Sequence, residues 1–126
     1  MAISQLRSKR KPSGGRYKYL VKKYKNRGSE PILVTISEFK KKIDRIKSGK
    51  SKQRLISTNI VNVYDAKEKK HFKAKIESVI ESPSNVNYIR RNIMTKGGII
   101  KTDKGIARIT SRPGQEGTLN AILLKK

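Results

Sequence analysis

The alternation of apolar and polar residues along the second half of the chain is typical of β-strands. Phe72, Ala74 and Ile76 alternate with charged residues, and this period of two leaves one face apolar and the other wet. Residues 72–81 are therefore predicted to form a strand. The run RLISTNIVNVY, residues 54–64, is predicted to form the strand before it, and a charged turn joins the two.

Other segments predict more short strands around this pair. Residues 31–36, PILVTI, are β-branched and aliphatic, IIKT and IARITS flank a tight turn at 103–105, and TLNAILL closes the series at 118–124. Residues 86–94 could form a helical turn before a strand. About five to seven short strands predict an all-β fold, a small antiparallel barrel-like domain or a sandwich. Closure into a barrel would also remove the unpaired sheet edges.

The segment SEFKKKIDRIKSGK, residues 37–50, fits two structures. Ser37 could cap a helix on which Phe39, Ile43 and Ile46 lie at helical spacing. The same isoleucines could instead belong to a twisted, basic strand that turns at Gly49. The pattern alone leaves both open.

Charge changes this picture at the N-terminus. The chain of 126 residues has a formal net charge of +23, and residues 1–28 contain ten lysines and arginines and no acid. A compact protein with such a charge repels itself, so a polyanion, first of all a nucleic acid, is its expected partner. Residues 1–28 are predicted to form an extended basic arm, disordered without RNA, because they cannot bury enough apolar surface. Residues 29–126 are predicted to form the barrel-like domain.

Composition argues against catalysis and membrane insertion. The chain has no cysteine, one histidine, His71, in a charged context, and nine scattered acids. Catalytic metal sites need converging ligands, so we expect no enzyme activity, no metal, no cofactor and no small-molecule substrate. No apolar run is long enough for a signal peptide or a membrane span, which predicts a cytoplasmic protein that does not bind membranes.

The arm carries the strongest functional signal. Its cations can neutralise phosphates and release counterions. Tyr17, Tyr19 and Tyr24 interleave with them and could stack on unpaired bases or anchor the arm on its own domain. The predicted RNA contacts of the arm are Arg7, Lys9, Arg10, Lys11, Arg16, Tyr17, Lys18, Lys22, Lys23, Lys25 and Arg27, and the basic segment near Gly49 adds Lys50, Lys52 and Arg54.

Residues 87–98, NYIRRNIMTKGG, form a second candidate. Arg90 and Arg91 would point to opposite faces of a strand, and glycines after Lys96 would let backbone N–H groups approach an anion. The alternative is an ordinary Gly-Gly turn with a solvated lysine.

Residues 107–117, ARITSRPGQEG, form the third candidate. Pro113 and Gly114 predict a turn, with positive φ allowed at the glycine. Arg108 and Arg112 lie four residues apart and so on one face, where guanidinium groups could grip phosphates with two hydrogen bonds each. Alternatively, they could form cross-strand ion pairs with Glu77 or Glu81.

These segments also resemble a known family. MAISQ with SKRKPSGGR at the start, VYDAK mid-chain, ESPSNVNYIRRNIMTKGGIIKT and ARITSRPGQEGTLNAIL resemble the eight-e family of small-subunit ribosomal proteins of archaea and eukaryotes. The short length resembles the archaeal form. The resemblance implies a barrel-like domain with a basic extension that binds small-subunit ribosomal RNA beside neighbouring ribosomal proteins, without catalysis.

The middle of the chain departs from that family. Residues 44–54, DRIKSGKSKQR, replace a more glycine-rich hairpin, so the resemblance favours two basic strands joined near Gly49 over a helix. Gly98 stands where alanine is common and Lys101 where an acid is frequent. The function expected is that of a structural constituent of the small ribosomal subunit, with contacts at Arg90, Arg91, Lys96, Arg108 and Arg112. The alternatives are a free nucleic-acid chaperone or chromatin-type protein and, from another class, an RNA-processing enzyme.

Overall fold

The strands of the protein form a closed barrel and a small second sheet. The computed structural model describes residues 8–18, 23–24 and 28–124, and the chain divides into two compact units, Met1–Pro31 and Ile32–Lys126. The second unit contains β1 (Val34–Thr35), β2 (Lys40–Arg45), β3 (Ser51–Ser57), β4 (Ile60–Asp65), β5 (Lys70–Glu81), α1 (Asn87–Arg90), β6 (Ile93–Met94), β7 (Ile99–Thr102), β8 (Gly105–Ile109) and β9 (Asn120–Leu123).

The closed barrel has the strand order β4-β5-β7-β8-β9. Adjacent strands of the barrel are antiparallel except at its closure. There β9 runs parallel to β4, with Asn62 opposite Asn120. The prediction of an all-β, barrel-like fold is confirmed. The parallel closure was not predicted, since it joins strands that are distant in the chain.

The second sheet settles the conformation of residues 37–50. The sheet has the order β2-β3-β1-β6, and β2 and β3 form a basic hairpin around a 3-10 turn, Lys47–Gly49. The strand interpretation is therefore correct and the helix is wrong. Phe39, Ile43 and Ile46 are 56%, 59% and 41% exposed, so their helical spacing did not mark a buried face.

The predicted strand 54–64 is two strands. The chain turns at Thr58, whose hydroxyl accepts a hydrogen bond from Ile60 N–H at 3.1 Å and donates to the Ile60 carbonyl at 3.0 Å. Hydrogen bonds from a threonine side chain to the backbone two residues later compete with the hydrogen bonds between neighbouring strands. β3 therefore joins the small sheet and β4 enters the barrel.

One apolar core connects the two sheets. Inward residues of the barrel, such as Val61, Val63 and Ile100, belong to the same buried cluster as Val34 and Leu55 of the small sheet. Leu55 is fully buried, and its backbone N–H is 3.1 Å from the Pro113 carbonyl and 3.3 Å from the Glu116 carbonyl. The sheet and the barrel thus share their packing and belong to one compact unit.

The 112–117 loop provides those two carbonyls, and its glycines serve close packing. The chain turns at Pro113 and Gly114 as predicted, and Gly114 does not use the positive φ that a glycine allows. A Cβ at Gly114 would lie 3.1 Å from the Ile32 carbonyl oxygen, and a Cβ at Gly117 would lie 3.0 Å from Gln53 Oε1. The second glycine of the motif lets the loop lie against β3.

Gly105 allows the tight turn between β7 and β8. Its φ is 128°, in a region that side chains rarely adopt, and Thr102 Oγ1 donates to its carbonyl at 2.6 Å. We expect Gly105→Ala to lower the free energy of unfolding by about 1–3 kcal/mol, because the backbone would be strained. Urea unfolding measures the change. Gly49→Ala is the comparison and should cost less, because its φ of 69° lies in the left-handed region that L residues can adopt and a Cβ there meets open space. Equal losses in both variants would contradict this explanation.

Candidate nucleic-acid interface

The described part of the arm contains a small basic turn. Arg10 and Arg16 form an isolated antiparallel bridge, and Lys11 N–H donates to the Gly15 carbonyl at 2.7 Å. This turn brings arginines from both its sides together at the surface. The predicted arm cations that are described are all exposed: Lys9, Arg10, Lys11, Arg16, Lys18 and Lys23. The others, Arg7, Lys22, Lys25 and Arg27, lie outside the described residues.

The tyrosines of the arm differ in exposure. Tyr17 is half-buried and Lys11 Nζ lies 5.7 Å from its ring centroid, whereas Tyr24 is 86% exposed. Tyr19 lies outside the described residues. A ring beside a cation attracts the cation through its negative face, so Tyr17 is placed to attract Lys11, one of the predicted RNA contacts.

Arg90 and Arg91 lie at the end of α1 and not on a strand. Both are exposed, as is Lys96, which follows β6. Arg90 ends the helix and Arg91 follows it as the cap residue, so the expectation of opposite strand faces does not apply. No ion pair engages these three cations within the described part of the chain. We name Arg90, Arg91 and Lys96 the α1 cluster.

The glycines after Lys96 do not form an anion site. Gly97 N–H donates to the Ile109 carbonyl at 2.8 Å, and Gly98 N–H donates to the Thr95 carbonyl at 3.1 Å. Both donors are therefore used inside the protein. The expectation that these amides approach an anion was wrong, and the ordinary Gly-Gly turn is correct here.

Sequence reasoning missed the role of Asn92. Its φ of 49° ends the helical turn in the left-handed region, which asparagine tolerates better than most residues. Its Oδ1 accepts a hydrogen bond from Val79 N–H at 3.2 Å. Asn92 thereby fixes the end of α1, and the arginines on it, against the long strand β5. An asparagine directly after a short helical pattern is the signal that could have revealed this.

Arg108 and Arg112 are both exposed. Exposed and buried residues alternate from Ile106 through Arg112, although β8 ends at Ile109. Arg108 and Arg112 are therefore both at exposed positions of this alternation. The Arg112 carbonyl accepts hydrogen bonds from Gln115 N–H and Glu116 N–H, both at 2.9 Å, which holds the backbone at this arginine. Neither arginine pairs with an acid in the described part of the chain, where Glu77 pairs with Lys101 instead.

The β2–β3 hairpin carries more cations than the sequence interpretation selected. Lys50 is exposed, Lys52 Nζ lies 2.6 Å from Gln115 Oε1 of the 112–117 loop, and Arg54 Nε lies 3.1 Å from Asp44 Oδ2. Arg54 Nε has no hydrogen-bond partner among the described residues, and its contact with Asp44 is an ion pair that limits the freedom of Arg54. The exposed cations that were missed are Lys40, Lys41, Lys42, Arg45 and Lys47.

The carboxylate of Glu77 changes the titration of Lys101. Its Nζ lies 2.8 Å from Glu77 Oε2, and the hydrogen bond and then the charge attraction of Glu77 raise the pKa of Lys101 above its ordinary value of 10.5. Because the folded-state pKa is the higher one, the stabilisation is present below pH 10.5 and is lost as pH rises through the folded value. The pair is exposed, so its contribution to stability is small.

We therefore expect Glu77→Gln to return the pKa of Lys101 toward its ordinary value. The neutral amide removes the charge attraction and replaces a strong acceptor with a weaker one. An NMR pH titration of the Lys101 side chain measures this directly. Glu68→Gln, which removes an acid paired with Lys70 at 3.6 Å, is the control and should leave Lys101 unchanged. An unaltered Lys101 titration in Glu77→Gln would show that another group raises the pKa.

Within residues 8–18, 23–24 and 28–124, no three His, Asp or Glu side chains converge as metal ligands. No helix in that part of the chain is long and apolar enough to cross a membrane.

The protein is a small, strongly basic β-barrel protein with exposed cations on a hairpin, a helix end and a loop. The Ribosomal protein S8e family matches residues 4–124. The chain belongs to this family, as its resemblance to the eight-e proteins predicted. The family consists of ribosomal proteins, so the prediction that the chain is not an enzyme is also confirmed.

Archaeal relatives match over nearly the whole chain. "Small ribosomal subunit protein eS8" of Methanococcus aeolicus is 45% identical and covers 100% of both chains. The protein of that name from Halorubrum lacusprofundi is 45% identical over 95% of this chain and 97% of its own. The one from Pyrobaculum calidifontis is 44% identical over 91% of this chain and 90% of its own.

Proposed function

We propose that this protein is a structural constituent of the small ribosomal subunit and binds small-subunit ribosomal RNA through its basic arm and the basic surface of its barrel unit. Family membership supports the subunit assignment, and with it a cytoplasmic location in the ribosome. The neighbouring proteins of the small subunit are its further partners. The arm threads between RNA helices and becomes ordered as its cations neutralise phosphates.

The excess of unpaired positive charge is the observation that carries the proposal. The chain has 32 lysines and arginines against nine acids, and the described residues form four ion pairs, all partly exposed. The α1 cluster, the β2–β3 hairpin and Arg112 of the 112–117 loop present exposed cations from a shared, packed body. Rigid presentation suits recognition of RNA by shape, because A-form RNA closes its major groove to side chains.

Density-gradient sedimentation of cell lysate tests the subunit assignment. We expect the protein to sediment with small subunits at moderate salt and to leave them only at high salt. Persistent absence from small subunits at moderate salt would overturn the proposal. Competition between ribosomal RNA and duplex DNA at matched salt tests the RNA contact separately. Equal affinity for both would instead favour a free nucleic-acid chaperone.

A further inference from the structure

An aromatic pair lies on the outer face of the barrel, on strands β4 and β5. Tyr64 of β4 is opposite His71 of β5 in the strand register. Their ring centroids are 4.7 Å apart and the rings are tilted by 31°. His71 is exposed and Tyr64 is half-buried, so the pair presents ring surface to solvent. Stacked rings on a sheet are a surface on which an unpaired base can stack.

A pair of side-chain amides lies beside the rings. Asn62 Nδ2 donates to Asn120 Oδ1 at 3.1 Å across the parallel closure of the barrel. This bond leaves Asn62 Oδ1 as an acceptor and the Asn120 amide group as a donor. A donor and an acceptor at fixed spacing can pair with the hydrogen-bonding edge of a base.

These groups share an open groove of about 670 Å³, within the size range of small-ligand sites. Lys73 lines it and lies opposite Asn62, while Arg108 lies opposite Ile122 at its border. Among the described residues that line the groove, none is acidic. Rings for a base, amides for its edge and cations for the phosphates therefore lie on one surface.

We propose that this face, defined by Tyr64, His71, Asn62, Asn120 and Lys73, binds an unpaired nucleotide of RNA. The inference rests on the proposed function but adds a second mode of contact, base stacking, to contacts with the backbone. Its charge favours an RNA segment over an apolar protein surface. Aromatic stacking depends weakly on salt, so this contact persists where phosphate contacts weaken.

Fluorescence anisotropy of the full chain with labelled RNA tests the site. The probes are a single-stranded oligouridylate of about ten nucleotides and an RNA duplex of the same length, at one salt concentration. We expect Tyr64→Leu to weaken single-strand binding roughly tenfold and to leave duplex binding unchanged. Tyr64→Phe should restore most of the affinity because it keeps the ring. Phe39→Leu, which changes an exposed aromatic residue outside the groove, is the matched control.

The outcomes separate this inference from the proposed function. Absence of the protein from small subunits would defeat the proposed function itself, and wild-type protein that does not bind the single strand would defeat the stacking site. Wild-type protein that binds RNA, with Tyr64→Leu losing nothing or losing both probes equally, would defeat the stacking site alone. If circular dichroism shows that Tyr64→Leu does not fold, a photoreactive uridine in the oligonucleotide decides the question with wild-type protein. Crosslinks at Tyr64 or His71 support the site, and crosslinks only elsewhere overturn it.

Discussion

Raising the salt from 50 to 200 mM should weaken binding of the protein to small-subunit ribosomal RNA by roughly 10³–10⁵-fold if it engages about six to ten phosphates. Each neutralised phosphate releases condensed counterions, and this gain in entropy shrinks as bulk salt increases. Because the net charge is +23 and the described residues form few ion pairs, we expect counterion release to be the dominant contribution to the binding free energy. Filter binding across a salt series gives the slope of log affinity against log salt.

The α1 cluster should account for a defined part of that slope. Replacing Arg90, Arg91 and Lys96 together with glutamine should lower its magnitude by about 2–3, since each phosphate contact contributes about 0.7–0.9. The control removes the same charge from Lys67, Lys70 and Lys101, two of which already pair with acids. Equal changes in the two triple variants would mean that only total charge matters, and the α1 cluster would then have no special role.

Leu55→Ala should lower the free energy of unfolding by about 2–5 kcal/mol. Leu55 is fully buried in the core that β3 shares with the barrel, so truncation removes transfer free energy and leaves a cavity. Urea denaturation monitored by circular dichroism measures the loss. Because stabilities of small domains are about 5–15 kcal/mol, the variant should also unfold at a clearly lower temperature.

Ile56→Ala is the matched control for that prediction. Ile56 is the next residue of the same strand but is 39% exposed, since successive side chains of a strand point to opposite faces. We expect it to cost less than about 1 kcal/mol. A similar loss in both variants would mean that β-propensity at this strand, and not the buried cavity, sets the cost.

The alternation of apolar and polar residues correctly predicted strands that have one buried face and one exposed face. β5 was predicted at 72–81 and spans Lys70–Glu81, because Ala74 and Ile76 are buried while their neighbours are exposed. The same reasoning failed for β2, where Ile43 is exposed and its spacing carries no information about a core. It also could not reveal the parallel pairings of β1 with β3 and of β4 with β9, since these depend on how distant segments pack.

The sequence predicted which cations belong to the candidate interface, but not which of them already contact other side chains of the protein. Arg90, Arg91 and Arg108 could be selected from the sequence and are exposed. The sequence could not show that Arg54 faces Asp44 or that Lys52 contacts Gln115, which is 63 residues away. The same limit applies to the Tyr64–His71 pair, because a lone histidine in a charged segment gives no sign of the ring opposite it.

The pairing of β9 with β4 affects how the protein is made. Translation produces β4 long before β9, so the barrel stays open while its middle strands emerge from the exit tunnel. Such long-range closure is slow because loop entropy is lost before the pairing forms. Over that interval the nascent chain exposes Val61 and Val63, which the finished barrel buries. Its own positive charge then keeps neighbouring nascent copies apart and opposes aggregation until the final strand is released.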